Sequence, residues 1–213
     1  MTKVNIIFGP KTKLGREIAL NLLGKKEEVL LVAREDDDVT IKKNSRHVIT
    51  TPEQVAKKFN RANIFICAFS KIHPEIPNYP KDINDLLSDG DRLFGYLDHL
   101  KPNMDLSIVY ISSVLEVGAR RENSYYQGLK NISNSIIASY CDKNNIKYTS
   151  LLPGRLVDGS RSIFYLNFLH TTYAVLAKKC IELINKKPAN KFKVIGLDAR
   201  IYLVILSVSI IFK

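Results

Sequence analysis

Short apolar runs alternate along this chain with longer amphipathic stretches. The runs Val4–Phe8, Val29–Ala33, His47–Thr50, Ile64–Phe69, Ser107–Ile111, Tyr148–Leu152 and Phe192–Ile195 predict strands. Most are near-continuously apolar, the pattern of strands buried on both faces and therefore of a parallel sheet. Between them, Leu14–Leu23, Pro52–Phe59, Ile83–Leu100, Tyr126–Cys141 and Thr171–Ile184 carry the spacing of helices with one apolar face. Thr51-Pro52-Glu53-Gln54 gives the second helix a threonine cap and a proline in the first turn. Strands and helices in strict alternation predict an α/β fold: a doubly wound parallel sheet in a three-layer α/β/α sandwich. The proline-bearing stretch Ile72–Pro80 reads as an irregular loop after the fourth strand. Residues 1–198 read as one domain, and 199–213 as an apolar tail.

A length of 213 residues allows one domain with a sizeable core. The cysteines Cys67, Cys141 and Cys180 are odd in number and lack metal-site spacing, which fits a reducing, cytoplasmic setting. The opening residues form a strand and a turn and do not read as a signal peptide. The net charge of +11 is spread over lysine pairs such as Lys25-Lys26, Lys57-Lys58 and Lys178-Lys179. Scatter of this kind indicates a solvated surface, and it also accommodates an anionic cofactor, an acidic membrane surface or weak nucleic-acid binding. Charge by itself does not choose among them.

Chemistry enters first where Val4–Phe8 runs into Gly9-Pro10-Lys11-Thr12-Lys13-Leu14-Gly15 and then a helix. In a strand–turn–helix unit, glycines let the backbone approach a pyrophosphate seated at the positive end of the helix. Lys13 stands where a further glycine is usual, and two glycines alone also suit an ordinary turn. The second strand ends at Arg34, where an arginine can pair with a ribose 2′-phosphate or with the acidic run Glu35–Asp38. The first pairing favours NADP(H) over NAD(H).

The second constellation is Tyr126 and Lys130, four residues apart and so on one helix face, with Ser113 thirteen positions before the tyrosine. A nearby cation favours an ionised phenol, which predicts a tyrosine pKa lowered from about 10 towards neutrality. The same spacing also occurs on ordinary exposed helix faces.

Taken together and in this order, the glycine turn, Ser113, Tyr126-x-x-x-Lys130, Pro153-Gly154 after a strand, and the segment FKVIGLD make the chain resemble the short-chain dehydrogenase/reductase family. The resemblance covers about Lys3 to Asp198 and implies a Rossmann-type fold. By that resemblance Tyr126 is the proton donor in carbonyl reduction and Ser113 polarises the substrate oxygen. Lys130 binds the nicotinamide ribose and tunes the tyrosine. Gly9, Lys11, Lys13, Leu14, Gly15, Arg34, Ala68, Pro153 and Gly154 join Tyr126 and Lys130 around the cofactor. The expected partner is a small carbonyl or alcohol, with sugar or polysaccharide precursors compatible, and not a nucleic acid. The chain departs from the family where Asn-Asn-Ala-Gly reads Ile66-Cys67-Ala68-Phe69, and no active-site asparagine can be placed before the catalytic strand. A non-catalytic nucleotide-binding regulator on the same fold is the competing reading.

His47, His73, His99 and His170 have no metal-site spacing and read as surface or packing residues. Asp36-Asp37-Asp38 reads as a solvated turn. The tail segment Ile201–Phe212 would span about 18 Å as a helix, short of a bilayer core of about 30 Å. Burial in the domain or a homo-oligomer interface is one reading; shallow contact with a membrane surface, leaving the protein peripheral, is the other.

Overall fold

A computed structural model describes residues 2–32, 51–69, 79–117, 124–158, 169–186 and 192–211. Six parallel strands form the central sheet: β1 (Lys3–Phe8), β2 (Val29–Val32), β3 (Arg61–Ile66), β4 (Asp105–Ile111), β5 (Lys147–Pro153) and β8 (Phe192–Ile195). Their order is β2-β1-β3-β4-β5-β8. The chain moves one way from β1 to β2 and the other way from β1 through β3, so the order reverses at β1. In an open parallel sheet such a switch point opens a crevice at the carboxyl ends of the strands. Two short strands, β6 (Leu156–Val157) and β7 (Thr171–Thr172), pair in parallel outside the main sheet.

Each face of the sheet is covered. On one side α2 (Pro52–Lys58), α3 (Tyr79–Leu100) and α4 (Ser124–Lys143) close over Val4, Ile6, Ile64, Ile66, Ile108 and Tyr110, all at most 2% exposed. On the other, α1 (Lys13–Gly24) and α5 (Tyr173–Ile184) pack together over Ile7, Phe65, Val109 and Leu151. Successive strand residues serve opposite faces, which is why these strands are apolar almost throughout. The three-layer doubly wound fold is as expected.

Several boundaries differ from the sequence expectation. β3 spans Arg61–Ile66 and not Ile64–Phe69. Asn63 interrupts the apolar run, yet it is fully buried because its amide donates to Asn5 Oδ1 across the sheet at 3.1 Å. Tyr79 and Pro80 open α3 instead of closing a loop; proline is tolerated there because first-turn N–H groups have no intrahelical partner. The expected strand His47–Thr50 lies outside the described residues. The apolar tail is helical, with α6 running Leu197–Ile211. Ala199 in its first turn is fully buried, whereas Ile201, Val204, Ile205 and Val208 are exposed, so the helix is anchored at its start and not enclosed by the domain. Among the described residues no helix is long and apolar enough to cross a membrane.

Candidate functional site

The crevice at the switch point begins with the turn after β1. Gly9 adopts φ +76°, and a Cβ there would lie 2.8 Å from the Ala68 nitrogen and 2.9 Å from its Cβ. Glycine is thus required both for the left-handed conformation and for the close approach of β1's end to β3's end. Thr12 caps α1, its Oγ1 donating to Gly9 O at 2.8 Å and accepting from Gly15 N at 3.0 Å. A Cβ on Gly15 would sit 2.5 Å from Gly9 O, so this second glycine lets the helix start against the turn. Leu14 is an exception among the expected cofactor residues: its side chain is 3% exposed in the core, leaving only its backbone at the helix N-terminus.

Lys13 reaches across the mouth of this turn. Its Nζ pairs with Asp158 at 2.6 Å, just beyond β6, and stands 5.7 Å from the Tyr173 ring centre. The hydrogen bond and charge of Asp158 raise the lysine pKa. The turn, the positive end of α1 and this ammonium form a donor set suited to a pyrophosphate. Arg34, the expected selector of the ribose phosphate, lies outside the described residues.

Ser113 follows β4 and opens a short 3₁₀ turn, Val114–Val117. Its hydroxyl accepts from Leu115 N at 3.3 Å, and its carbonyl accepts from Glu116 N at 3.0 Å. Helix α4 packs against this turn and carries Tyr126 and Lys130, both half-buried. The Lys130 ammonium lies 5.7 Å from the Tyr126 ring centre and 6.0 Å from that of Tyr110 on β4. The expected pair on one helix face is therefore present, beside Ser113's turn.

The electrostatics of the pair differ from expectation. Burial raises the Tyr126 pKa above its usual value instead of Lys130 lowering it. Burial lowers the Lys130 pKa, and the charge of Glu116 pulls partly the other way. Removing water penalises both phenolate and ammonium, and burial is the cause acting on Tyr126 and the larger of the two acting on Lys130. Glu116 itself is half-buried with its pKa raised, first by burial; hydrogen bonds from Ser112 and Asn134 oppose the rise. Neither Glu116 nor Asn134 stood out in the sequence, because a glutamate in a turn and an asparagine mid-helix are usually exposed.

Pro153 ends β5, and Gly154 N donates to Ile195 O at 3.3 Å. Beneath this segment the Asp198 carboxylate accepts from Arg155 N and from His170 Nδ1, each at 2.8 Å, and a Cβ on Gly154 would overlap it. Asp198 therefore clamps the β5 exit to the start of α6, and His170 has a packing role as its partner. The thiols of Cys67, Cys141 and Cys180 are free. Burial pushes all three above the ordinary thiol range, which argues against a cysteine nucleophile.

No protein-family model and no curated protein matches the sequence. Solved structures do match. A short-chain dehydrogenase from Streptomyces avermitilis superposes with a TM-score of 0.68 at 17% identity, over 98% of this chain and 93% of that one. A short-chain dehydrogenase from Burkholderia cenocepacia, solved with NADP, gives 0.66 at 12% identity over 97% and 93%. An NAD-dependent NDP-hexosamine 5,6-dehydratase involved in tunicamycin biosynthesis gives 0.67 at 13% identity over 98% and 81%. With this strand order and these neighbours, the chain has the Rossmann-type fold of the short-chain dehydrogenases.

Proposed function

We propose that this protein is an NAD(P)H-dependent oxidoreductase of the short-chain dehydrogenase/reductase type, reducing a carbonyl or oxidising a secondary alcohol. The observation that carries the reading is the convergence of Ser113's turn with Tyr126 and Lys130 at the carboxyl end of β4, next to the switch-point crevice. In this reading the Gly9–Gly15 turn and Lys13 hold the cofactor pyrophosphate, Ala68 and Pro153-Gly154 line its path, and Lys130 binds the nicotinamide ribose. A bound nicotinamide supplies or accepts the hydride. Ser113 hydrogen-bonds the substrate oxygen, and Tyr126 gives or takes its proton. Arg34, two positions after Val32 in the sequence, favours NADP(H). Neighbours acting on UDP-N-acetylglucosamine and an NDP-hexosamine make nucleotide sugars the first substrates to try. Three free thiols fit a reducing, cytoplasmic setting.

One observation favours a non-catalytic nucleotide-binding regulator instead: the Tyr126 pKa is raised, a poor setting for a proton donor and acceptor near neutral pH. The two readings separate cleanly. Purified protein should quench NADPH fluorescence and oxidise NADPH when supplied with carbonyl compounds, including 4-keto nucleotide sugars. Tyr126→Phe should bind NADPH as before and lose about 10²–10⁴-fold in turnover. Binding without turnover on any carbonyl, in wild type and variant alike, would establish the regulator.

A further inference from the structure

We infer that Asn134 is a positioning residue: through Glu116 it latches the turn that carries Ser113 to helix α4, which carries Tyr126. This rests on the reading above in one respect, that Ser113 and Tyr126 meet the same substrate oxygen. Tyr126, Lys130 and Asn134 stand at i, i+4 and i+8 on α4 and so share one helix face. Asn134 Nδ2 donates to Glu116 Oε1 at 2.5 Å, and Glu116 lies in the 3₁₀ turn. The other carboxylate oxygen, Oε2, accepts from Ser112 Oγ, while Ser112 N donates to Leu151 O on β5 at 2.9 Å. On its far side, Asn134 Oδ1 accepts from the Tyr148 hydroxyl, also on β5. Ser112, Asn134 and Tyr148 are all buried. One hydrogen-bonded chain therefore joins the end of β4, the turn, α4 and β5, and Ser113 stands between Ser112 and Glu116, two of its members.

Ser113's own bonds are local, its hydroxyl accepting from Leu115 N and its carbonyl from Glu116 N. They shape the turn but do not fix its distance from Tyr126. That distance is set where α4 packs on the turn, and there the Asn134–Glu116 bond joins the two pieces. An amide donating to a carboxylate makes a charge-assisted bond, shorter and stronger than one between neutral groups. An aliphatic side chain at 134 would be buried without any desolvation cost, so the amide's contribution lies in what it joins. Misplacing a reacting group by about 1 Å can cost about 10²-fold in rate, so a bond remote from the substrate can govern turnover through Ser113.

Glu116→Ala cuts the latch. Glu116→Gln keeps it, with one oxygen for Asn134 and the Ser112 hydroxyl turned to accept from the new N–H. Two amides report on the turn: the N–H of residue 116, bonded to Ser113 O, and that of Leu115, bonded to Ser113 Oγ. In Glu116→Ala both should exchange with deuterium faster, by on the order of tenfold relative to their unprotected rates, while the amides of β3 keep theirs. Glu116→Gln should match wild type. Unchanged exchange in Glu116→Ala overturns the inference. Turnover supplies the second arm: Glu116→Ala should lose about 10–10²-fold while NADPH affinity holds. In a Ser113→Ala background the same substitution should cost nothing further, because the latch acts through that hydroxyl. An equal loss in both backgrounds refutes positioning. Should Glu116→Ala fail to fold, the reciprocal exchange of Glu116→Gln with Asn134→Asp decides, since the glutamine amide then donates to the aspartate and wild-type protection is expected. Fast exchange in that pair refutes the latch. Deuterium exchange needs neither nucleotide nor substrate. A chain that reduces no carbonyl therefore sinks the oxidoreductase reading alone, and a carbonyl-reducing chain whose turn is indifferent to Glu116→Ala sinks only this inference.

Discussion

Lys130 illustrates how one residue can be placed for function at a cost to stability. Its folded pKa is lowered by burial, with Glu116 offsetting part of the effect. Between that folded value and the ordinary lysine value of about 10.4, the unfolded chain binds more protons than the folded one, so stability rises with pH through the window. Below the window the full burial cost is present. Lys130→Met lacks this titration. The difference in thermal midpoint between wild type and Lys130→Met should therefore shift in favour of wild type as pH rises from neutral towards 10. A constant difference would mean that Lys130 is solvated. Tyr126 acts in the opposite sense and at higher pH, since its folded pKa is raised: its contribution is complete below about 10 and is lost as pH climbs further. In the cofactor reading proposed above, Arg34→Ala should lower the preference for NADPH over NADH by roughly 1.5–3 kcal/mol, the worth of a charge-assisted phosphate contact. Equal losses for both nucleotides would move Arg34 out of the site.

At the scale of elements, the β1–α1 unit depends on where its glycines stand. Gly15, in the first turn of α1, stands against Gly9 O and Pro10 Cα, at 2.5 and 3.0 Å from a would-be Cβ, both backbone atoms that cannot swing aside. Gly24 ends the same helix with nothing within 4 Å. Gly15→Ala should cost about 1–3 kcal/mol by overpacking and weaken NADPH binding through the displaced turn. Gly24→Ala should be neutral or stabilise by up to about 1 kcal/mol through better helix propensity. Denaturant unfolding of the two variants, side by side, tests whether packing or propensity governs this helix. Equal effects would show that the turn relaxes around an added methyl group.

Over the whole molecule, the unusual part is α6. Its first turn is tied down by Ala199, fully buried, and by Asp198 under the β5 exit. Further along, Ile201, Val204 and Ile205 are 42%, 63% and 54% exposed. Ala199→Leu should destabilise by about 1–3 kcal/mol, whereas Val204→Ser should stay within about 0.5 kcal/mol of wild type. Comparable losses at both positions would mean that the exposed face is covered in solution. That outcome would also bear on the homo-oligomer and membrane-surface readings of the tail.

Much of this protein was legible in the order of its residues. Parallel strands buried on both faces must be apolar throughout, so the sheet and its helices left a strong local pattern. The glycine turn and Tyr126-x-x-x-Lys130 were legible because a left-handed turn and a shared helix face depend on short-range spacing. Other features arose only when distant segments met. Asn63 could join β3 because Asn5 lies opposite it, a pairing between residues far apart in the chain. The clamp of Asp198 on Arg155 and His170 likewise joins three separate segments. The ionisation of the central pair is the sharpest case. Spacing along a helix puts Lys130 beside Tyr126, but the burial that shifts both groups arises only once α4 packs against β5 and the 3₁₀ turn. Proximity along the chain was written in the sequence; the dielectric around those groups was decided by the fold.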